Sequence, residues 1–367
     1  MSVEPFEVGF DEGVVDDLRE RLGGVRWPTL AGEAGWDYGA DVGYLRELCA
    51  HWAGAYDFGR VERALGAFHN QRWDGIHFIG EGAGDGLPVL LIHGWPGAVI
   101  EFVEVIPRLA AAGHELVVPS LPGYGFADAP DPPLSATGIA RRLLELMQAL
   151  GHDRYAVQGG DWGSLIAARM AFEEPEHVAA VHVNSVGVLP IPGNLEQPPM
   201  SEAELEYANA GRRWRNREGY HLFVQGGAPD ALAVGLADSP AGLAAWLVDK
   251  YRRWSDCDGD VERRFSKDQL CDFLTLYWAT GTIGSSMRLY AAAARDRWRL
   301  GPDDRIGVPA AGADYPAEIV RPPREWAERI FPDLRRWTEM PRGGHFAAFE
   351  EPELFADDLL EFLSDID

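Results

Sequence analysis

The segment best suited to carry chemistry is the turn at residues 158–164, QGGDWGS, which places one carboxylate, Asp161, among three glycines. An apolar run ends just before this turn at Val157, and a helical pattern, LIAARMAF, follows it. A sharp strand-to-helix turn crowded with small residues is the arrangement that exposes a nucleophile. The alternative is that Asp161 caps the following helix, since Asp is favoured at helix N-termini. A cap does not require three surrounding glycines, so we predict that Asp161 is a nucleophile.

A carboxylate nucleophile at such a turn is expected to work with a histidine and a second acid. His345, in PRGGHFAAFEEPELF, follows the last predicted strand and precedes the final predicted helix. The acid that orients such a histidine should follow the preceding strand, in VPAAGADYPAEIV, where Asp314 and Glu318 both qualify and spacing does not decide between them. The order nucleophile, acid, histidine is typical of α/β-hydrolases. No G-x-S-x-G motif for a serine nucleophile occurs, and we interpret His93 of IHGWPG as structural.

The elements that must position these residues alternate between short apolar strands and helices. Apolar runs occur at PVLLIH, HELVVPS, YAVQGG, VAAVHVNS, IGVPAAGA and LRRWTEMPRGGH, with helical patterns between most of them. This alternation predicts a mostly parallel sheet with helices on both faces, an α/β-hydrolase core. A helical stretch rich in aromatics begins at the Pro-rich connector LPIPGNLEQPP and interrupts the strands. We interpret that stretch as a lid.

These patterns divide the chain into four predicted parts. Residues 1–85 form a helical N-terminal extension, with patterns such as VVDDLRERLGGVRW and VGYLRELCAHWAGAY. Residues 86–190 form the first part of the core, residues 191–300 the helical lid, and residues 301–367 the second part of the core.

Composition excludes several classes of function. The formal net charge of −25 argues against binding to nucleic acid or to an anionic membrane, which both need clustered Lys and Arg. No run approaches the roughly 20 apolar residues that span a bilayer, and the N-terminus lacks the apolar region of a signal peptide. Cys49, Cys257 and Cys271 lack metal-ligand spacing and are expected to be free thiols. We therefore expect a cytoplasmic protein without a metal.

Several motifs together resemble the microsomal-type epoxide hydrolases, including bacterial members made without a membrane anchor. The resemblance covers essentially the whole chain and is carried by VRWP, YLRELCAHW, LIHGWPG, PSLPGYGFAD, QGGDWGS, GLADSPAGLAAWLVDKYRRW, YWATGTIGSSMRLY, YPAEI and RGGHFAAFEEPEL. It implies conversion of an epoxide and water to a vicinal diol, without a metal or an organic cofactor. The anchor segment of the membrane-bound members is not found, so we expect no membrane association.

The resemblance also implies roles for individual residues. Asp161 would be the nucleophile, His345 the general base, and Glu318, in YPAEI, the acid that orients it. Two lid tyrosines, Tyr220 of EGYHLFVQ and Tyr290 of MRLYAAAA, would activate the epoxide oxygen.

The remaining implied groups are the oxyanion-hole donors, the backbone N–H groups of Trp95 and Trp162. Tyr251 and Tyr277, which lie near the lid tyrosines in the sequence, are expected to serve in packing.

A carboxylate nucleophile explains the residue at the centre of the turn. An epoxide has a strained C–O bond but no carbonyl, and an ionised carboxylate opens the ring without prior deprotonation. The product is an ester, which water activated by a histidine can hydrolyse. A haloalkane dehalogenase is the first alternative, because it also uses an Asp nucleophile. Its leaving halide needs no proton, however, so a tyrosine pair favours the epoxide. A non-catalytic binding protein is the second alternative.

The expected partner is a small-molecule epoxide. The chain has 13 Trp and 16 Phe, which is compatible with an aromatic-lined cavity and an aryl or bulky apolar substrate. A homodimer is also compatible with the sequence. Roles in detoxification and in secondary metabolism both fit this chemistry.

Overall fold

One sheet runs through the molecule and presents the predicted site residues beyond the carboxyl ends of its strands. The computed structural model describes residues 2–29, 35–189 and 199–366. The strands are β1 (Glu4–Pro5), β2 (Asn70–Trp73), β3 (Ile76–Glu81), β4 (Val89–Ile92), β5 (Leu116–Pro119), β6 (Tyr155–Gly159), β7 (Val178–Val183), β8 (Ala310–Asp314) and β9 (Leu334–Glu339). Within the described residues their order across the sheet is β1-β2-β3-β5-β4-β6-β7-β8-β9.

The six strands predicted from apolar runs are confirmed as β4 to β9, and neighbours among them pair in parallel. The central strands β4, β5, β6 and β7 are buried along their whole length. This burial explains why they read as continuous apolar runs rather than as alternating patterns.

The N-terminal extension is more than the helical unit that its patterns predict. It contributes β1, β2 and β3, which extend the sheet in antiparallel fashion. Asp74 and Gly75 connect β2 to β3 with φ values of 44° and 80°, as a two-residue hairpin with a type I′ turn requires. β1 and β2 are only two and four residues long and β3 is a run of six, so the helical periodicity of the longer neighbouring segments concealed all three.

Helices cover the sheet and form the lid. The extension has α1 (Glu12–Gly23), α2 (Val42–Gly54) and α3 (Gly59–Gly66). Core helices are α4 (Ile106–Ala111), α5 (Ala136–Ala149), α6 (Trp162–Glu173), α13 (Arg324–Glu328), α14 (Ala347–Glu350) and α15 (Pro352–Leu363). Lid helices are α7 (Glu202–Arg217), α8 (Tyr220–Gly227), α9 (Pro229–Asp238), α10 (Pro240–Trp254), α11 (Lys267–Ala279) and α12 (Ile283–Arg295).

The helices α7 to α12 lie between β7 and β8 in the chain. Capping boxes fix the starts of two of these helices, from Ser201 and Glu204 in α7 and from Ser266 and Gln269 in α11. Of the predicted Pro-rich connector, residues 190–198 lie outside the described part of the chain.

The N-terminal helices hold the lid in place. The Trp52 indole N–H donates to the Thr275 hydroxyl at 2.9 Å, and the Tyr56 hydroxyl donates to Asp272 at 2.7 Å. Trp52 is on α2 and Tyr56 follows that helix, and both side chains are buried against α11. The extension therefore supports the lid as well as the sheet.

Two further features concern membranes and thiols. Within the described ranges, no single helix is long and apolar enough to cross a membrane. The helices α9 and α10 would be long enough only if taken together, and they meet at a bend of 118°.

The three cysteines are buried free thiols.

Candidate active site

Asp161 lies in the turn between β6 and α6 with φ 51° and ψ −124°, a conformation that a residue with a side chain rarely adopts. Glycines allow the tight approach around it. A Cβ on Gly163 would lie 2.1 Å from the Ile92 carbonyl oxygen, and one on Gly94 would lie 2.4 Å from the Asp161 side chain. The Asp161 side chain makes no hydrogen bond that caps α6. The alternative role as a helix cap is therefore not observed.

Two backbone N–H groups face the Asp161 carboxylate. The Trp95 N–H donates to Oδ1 at 2.9 Å, and the Trp162 N–H also hydrogen-bonds to the carboxylate. Trp95 follows β4 and Trp162 begins α6, so both donors lie where parallel strands end. Burial raises the pKa of Asp161, while His345 and the two N–H groups partly offset that rise. The predicted oxyanion-hole donors thus already contact the predicted nucleophile.

His345 lies between two carboxylates. Its Nδ1–H donates to Glu318 Oε1 at 2.7 Å, and its Nε2 lies 3.6 Å from Asp161 Oδ2. Glu318 also accepts hydrogen bonds from the Ser185 hydroxyl at 2.8 Å and from the Ile319 N–H at 2.6 Å. These bonds fix the carboxylate and the tautomer of the imidazole together.

The charges of this group depend on one another. Burial lowers the pKa of His345, but the Glu318 and Asp161 carboxylates raise it to about 9. Burial raises the pKa of Glu318, whereas the charge and hydrogen bond of His345 lower it, with a net fall below the ordinary value. The resting site is therefore an imidazolium held between two carboxylates.

The structure brings Glu318, and not Asp314, to the histidine. Asp314 instead forms a two-pronged ion pair with Arg321, at 2.8 and 2.6 Å. A single bridge between Ala317 and Gly344 joins the loop after β8 to the loop before His345. This bridge places Glu318 beside the imidazole, a relation that spacing along the chain does not reveal.

Three residues that the sequence did not single out for this purpose hold the Trp95 loop. The Tyr251 hydroxyl donates to the Pro96 carbonyl at 3.2 Å, and the Tyr277 hydroxyl donates to the Gly97 carbonyl at 3.0 Å. His93 accepts the Leu121 N–H at 3.1 Å. The two tyrosines are thus more than packing residues, because they position a loop whose N–H faces Asp161.

A cavity of about 620 Å³ lies between this group and the lid. Its walls are mainly apolar or aromatic away from the charged group, although Asp296 and Arg297 also line it. The described residues that line it include Asp161, Trp162, Leu165, Trp214, His221, Leu222, Tyr290, Glu318, Ile319 and His345. Tyr290 is buried, and its ring stands edge-on to Trp162 at 4.8 Å between centroids. Burial raises the pKa of Tyr290 well above its ordinary value, so the hydroxyl keeps its proton.

The structure does not bring Tyr220 to this cavity, contrary to its predicted role. Tyr220 is absent from the described residues that line the cavity. Its hydroxyl donates to Asp249, and the Lys250 ammonium lies 3.7 Å from the centre of its ring. The next residue, His221, lines the cavity instead. The physical reason is helical geometry, because consecutive side chains on a helix point about 100° apart.

No metal site accompanies this group in the part of the chain that the structure describes, since no cluster of three or more His, Cys, Asp or Glu is arranged to hold an ion.

Two family models match the chain. The model described as epoxide hydrolase N terminus matches residues 3–102, and the model described as alpha/beta hydrolase fold matches residues 88–255.

Individual relatives match over nearly the full length. Epoxide hydrolase 1 of Sus scrofa is 32% identical over 99% of this chain and 88% of its own. Juvenile hormone epoxide hydrolase of Bombyx mori is 34% identical over 99% of this chain and 87% of its own. The crystal structure of that silkworm enzyme superposes with a TM-score of 0.89 at 33% identity, covering 100% of this chain and 95% of the other. The epoxide hydrolase of Aspergillus niger gives a TM-score of 0.88 at 25% identity, covering 100% and 97%.

Proposed function

The chain belongs to the epoxide hydrolase family, and we propose that it converts an epoxide to a vicinal diol through an ester of Asp161. The observation that carries the mechanism is the buried Asp161–His345–Glu318 group at the floor of the cavity, with Nε2 of His345 3.6 Å from the nucleophilic carboxylate. Oδ1 of Asp161 is occupied by the Trp95 N–H. Oδ2 is therefore the oxygen that attacks.

In the first step, Asp161 Oδ2 bonds to an epoxide carbon. The C–O bond of the ring breaks, and its electron pair goes to the ring oxygen. That oxygen is a poor leaving group unless a donor supplies a hydrogen bond and a proton. Tyr290 lines the cavity with a protonated hydroxyl, so it is the proton donor. General acid assistance of this kind contributes about 10²- to 10⁴-fold.

In the second step, His345 removes a proton from water as that water attacks Cγ of the ester. The negative charge that develops on Oδ1 lies against the N–H groups of Trp95 and Trp162, which act as the oxyanion hole. Collapse of this intermediate breaks the Cγ–Oδ2 bond, and the departing oxygen takes the second proton of the attacking water, so the diol leaves with the former Oδ2. The water oxygen stays in the Asp161 carboxylate.

The change of charge on Asp161 switches His345 between its two states. In the resting protein, two carboxylates raise the pKa of His345 to about 9. Ester formation removes the Asp161 charge, which is one of the causes of that rise. The pKa of His345 therefore falls after the first step, the imidazolium releases its proton to solvent, and the neutral imidazole can act as the base that activates water.

The cavity supports an apolar epoxide with an aryl or similarly bulky group. Leu165, Trp214, Leu222 and Ile319 supply apolar and aromatic surface around the reacting groups. A site of this composition stabilises a substrate mainly by removing its apolar surface from water.

The experiment that tests this function uses a His345→Gln variant, which should form the Asp161 ester but fail to hydrolyse it. Incubation with aryl and alkyl epoxides, then intact-mass analysis and peptide mapping, should show one whole epoxide added at Asp161. His69→Gln is the matched control, because the His69 side chain is 79% exposed, and it should turn over without an adduct.

Haloalkanes belong in the same panel. A wild-type protein that releases halide and forms no diol would contradict the proposed reaction. So would an adduct mapped to a residue other than Asp161.

A further inference from the structure

One polar side chain of α8 faces the cavity without having been assigned a role. Among the described residues that line the cavity, α8 contributes His221, Leu222 and Gly226. His221 is therefore the only member of this trio that can donate a hydrogen bond. Tyr290, on α12, lines the same cavity.

His221 is held by aromatic rings on several sides. It stacks on Trp95 at 5.8 Å between centroids, stands edge-on to Tyr290 at 5.9 Å, and contacts Trp254 at 5.0 Å. Only 2% of its surface is exposed. Its Nδ1 is buried and makes no hydrogen bond of good geometry, although the backbone of Glu218 interacts with the ring and raises its pKa. A buried ring nitrogen without a full hydrogen bond, beside the Trp95 loop, is costly unless a ligand completes its bonding.

Tyr220 is committed to a different site. Its hydroxyl bonds Asp249, which also accepts from Lys250 at 2.8 Å and from Arg253 at 2.7 Å. The Lys250 side chain is fully buried. Turning Tyr220 toward the cavity would remove its ring and hydroxyl from this buried charge cluster.

On the basis of the function proposed above, we propose that His221 is the second hydrogen-bond donor to the epoxide oxygen, acting beside Tyr290. When Asp161 attacks, the oxygen receives the electron pair of the broken C–O bond and the proton of Tyr290. A ring N–H of His221 donates a hydrogen bond to the same oxygen and keeps its proton. Tyr290 regains its proton when His345 releases the one taken from water.

The neutral form of His221 suits this role. Burial and the nearby Lys250 ammonium lower the pKa of His221 to about 3. A neutral imidazole still has one N–H to donate, and a neutral histidine that polarises oxygen is an established catalytic arrangement. Tyr290 alone would be a weak acid, because burial raises its pKa. A second donor therefore lowers the cost of forming the alkoxide.

The test measures the rate of ester formation in the His345→Gln background, where hydrolysis does not interfere. His221→Phe keeps an aromatic ring against Trp95 but removes the donor, and it should slow ester formation by about 10²- to 10³-fold. His221→Tyr restores a donor and should recover much of the rate. Tyr220→Phe, the matched comparison, should change the rate by less than about threefold, since the hydrogen bond that it removes goes to Asp249 and not to the cavity.

Each outcome of this test supports or overturns the donor role of His221. If His221→Phe forms ester as fast as its parent, or no slower than His221→Tyr, the donor role is overturned, because a purely structural ring would behave alike in both. A large loss in Tyr220→Phe alone would return the role to Tyr220. Absence of adduct in the His345→Gln parent and of diol from the wild type would contradict the proposed function itself, before any lid variant is compared.

A second, independent observation concerns a small cavity that also touches Asp161 and His345. Its volume is about 20 Å³, enough for one water molecule. Three buried polar atoms without hydrogen-bond partners belong to residues that line it: Glu101 Oε1, Gln158 Oε1 and His345 Nε2. A buried water needs two to four such partners.

We infer that this cavity holds the hydrolytic water, with Glu101 as a positioning residue. The water donates one hydrogen to His345 Nε2 and the other to a carbonyl-type oxygen of Glu101 or Gln158. Its lone pair is then free to attack Cγ of the Asp161 ester. Burial raises the pKa of Glu101 to about 8, so this side chain is mainly a neutral acceptor at pH 7 and adds no competing charge.

Glu101→Leu should slow hydrolysis of the ester by about tenfold or more, because an acceptor is lost, while ester formation stays unchanged. The ester should then accumulate during turnover. Glu101→Gln keeps a neutral acceptor and should hydrolyse the ester at nearly the parent rate. Glu104→Gln, at an exposed position nearby, controls for surface effects. If Glu101→Leu does not fold, Gln158→Leu removes another acceptor of the same cavity. Equal slowing of both steps, or unchanged hydrolysis, would overturn the assignment.

Discussion

The strand-end site and the lid hold their polar groups in different ways. At the strand ends, the backbone does most of the positioning: Trp95 and Trp162 act through N–H groups, and Glu318 is fixed by the Ile319 N–H. In the lid, side chains position side chains, as in the cluster of Tyr220, Asp249 and Lys250. Backbone geometry tolerates substitution of neighbours, whereas a side-chain cluster changes when any member changes. The two regions should therefore respond differently to mutation.

The largest effect is expected at the nucleophile. Asp161→Asn should lower kcat/KM for an epoxide by on the order of 10⁴-fold or more, because no other described group is placed to form the ester. Asp314→Asn is the control, since Asp314 ends strand β8 of the same sheet but pairs with Arg321. Comparable losses in both variants would contradict the assignment.

The next effect is expected at Glu318. Glu318→Gln removes the charge that, after burial, most affects His345, so the pKa of His345 should fall toward its ordinary value. Turnover should decline by about 10²- to 10⁴-fold, as when the orienting acid of a triad is neutralised. The pH dependence of ester hydrolysis, measured in single turnovers, checks the shift. An unchanged pH profile would show that Glu318 does not govern the histidine.

Asp249→Ala probes the side-chain cluster of the lid. Removing this carboxylate leaves the fully buried Lys250 unpaired, which should lower the free energy of unfolding by about 3 kcal/mol or more. Asp230→Ala breaks an exposed ion pair with Arg288 in the same lid and should cost less than about 1 kcal/mol. Chemical denaturation measures both free energies of unfolding. Equal losses would mean that the buried cluster stabilises the fold no more than an exposed ion pair does.

Stability should also depend on pH through His345. The folded pKa of about 9 lies above the unfolded value of about 6.5. The ion pairs of the imidazolium therefore stabilise the fold fully below pH 6.5, and this contribution is lost as the pH rises through 9. Across that interval the wild type should lose stability relative to His345→Gln. Parallel stability curves for the two proteins would exclude a raised pKa.

The smallest effect is expected at Tyr277, which supports the Trp95 loop without facing Asp161 itself. Tyr277→Phe removes the hydrogen bond to the Gly97 carbonyl and should weaken transition-state binding by about 1 kcal/mol. Because the Trp95 N–H faces Asp161 in both steps, ester formation and hydrolysis should slow alike. Tyr38→Phe, at a side chain that is 94% exposed, should change neither rate.

Local features of the sequence were enough to single out Asp161 and His345 as candidates. Glycines around Asp161, apolar runs ending at each turn, and the order of Asp161 and His345 are local features, and local features survive in a sequence. The sequence did not identify the acid that orients His345, because Asp314 and Glu318 are only four residues apart. The contact between the loop after β8 and the loop before His345 shows that Glu318 is that acid. The strands β1 to β3 were missed because runs of two to six residues are too short to outweigh the helical periodicity around them.

Which side chain of α8 lines the cavity is set by tertiary packing. Tyr220 and His221 are adjacent in the chain, and both are chemically able to donate a hydrogen bond. Which of them faces Asp161 depends on how α8 is rotated, and the buried charges of Asp249 and Lys250 on α10 fix that rotation by engaging Tyr220. A difference of one residue on a helix turns a side chain by about 100°. The lid therefore selects its donor by packing between helices that are distant in sequence.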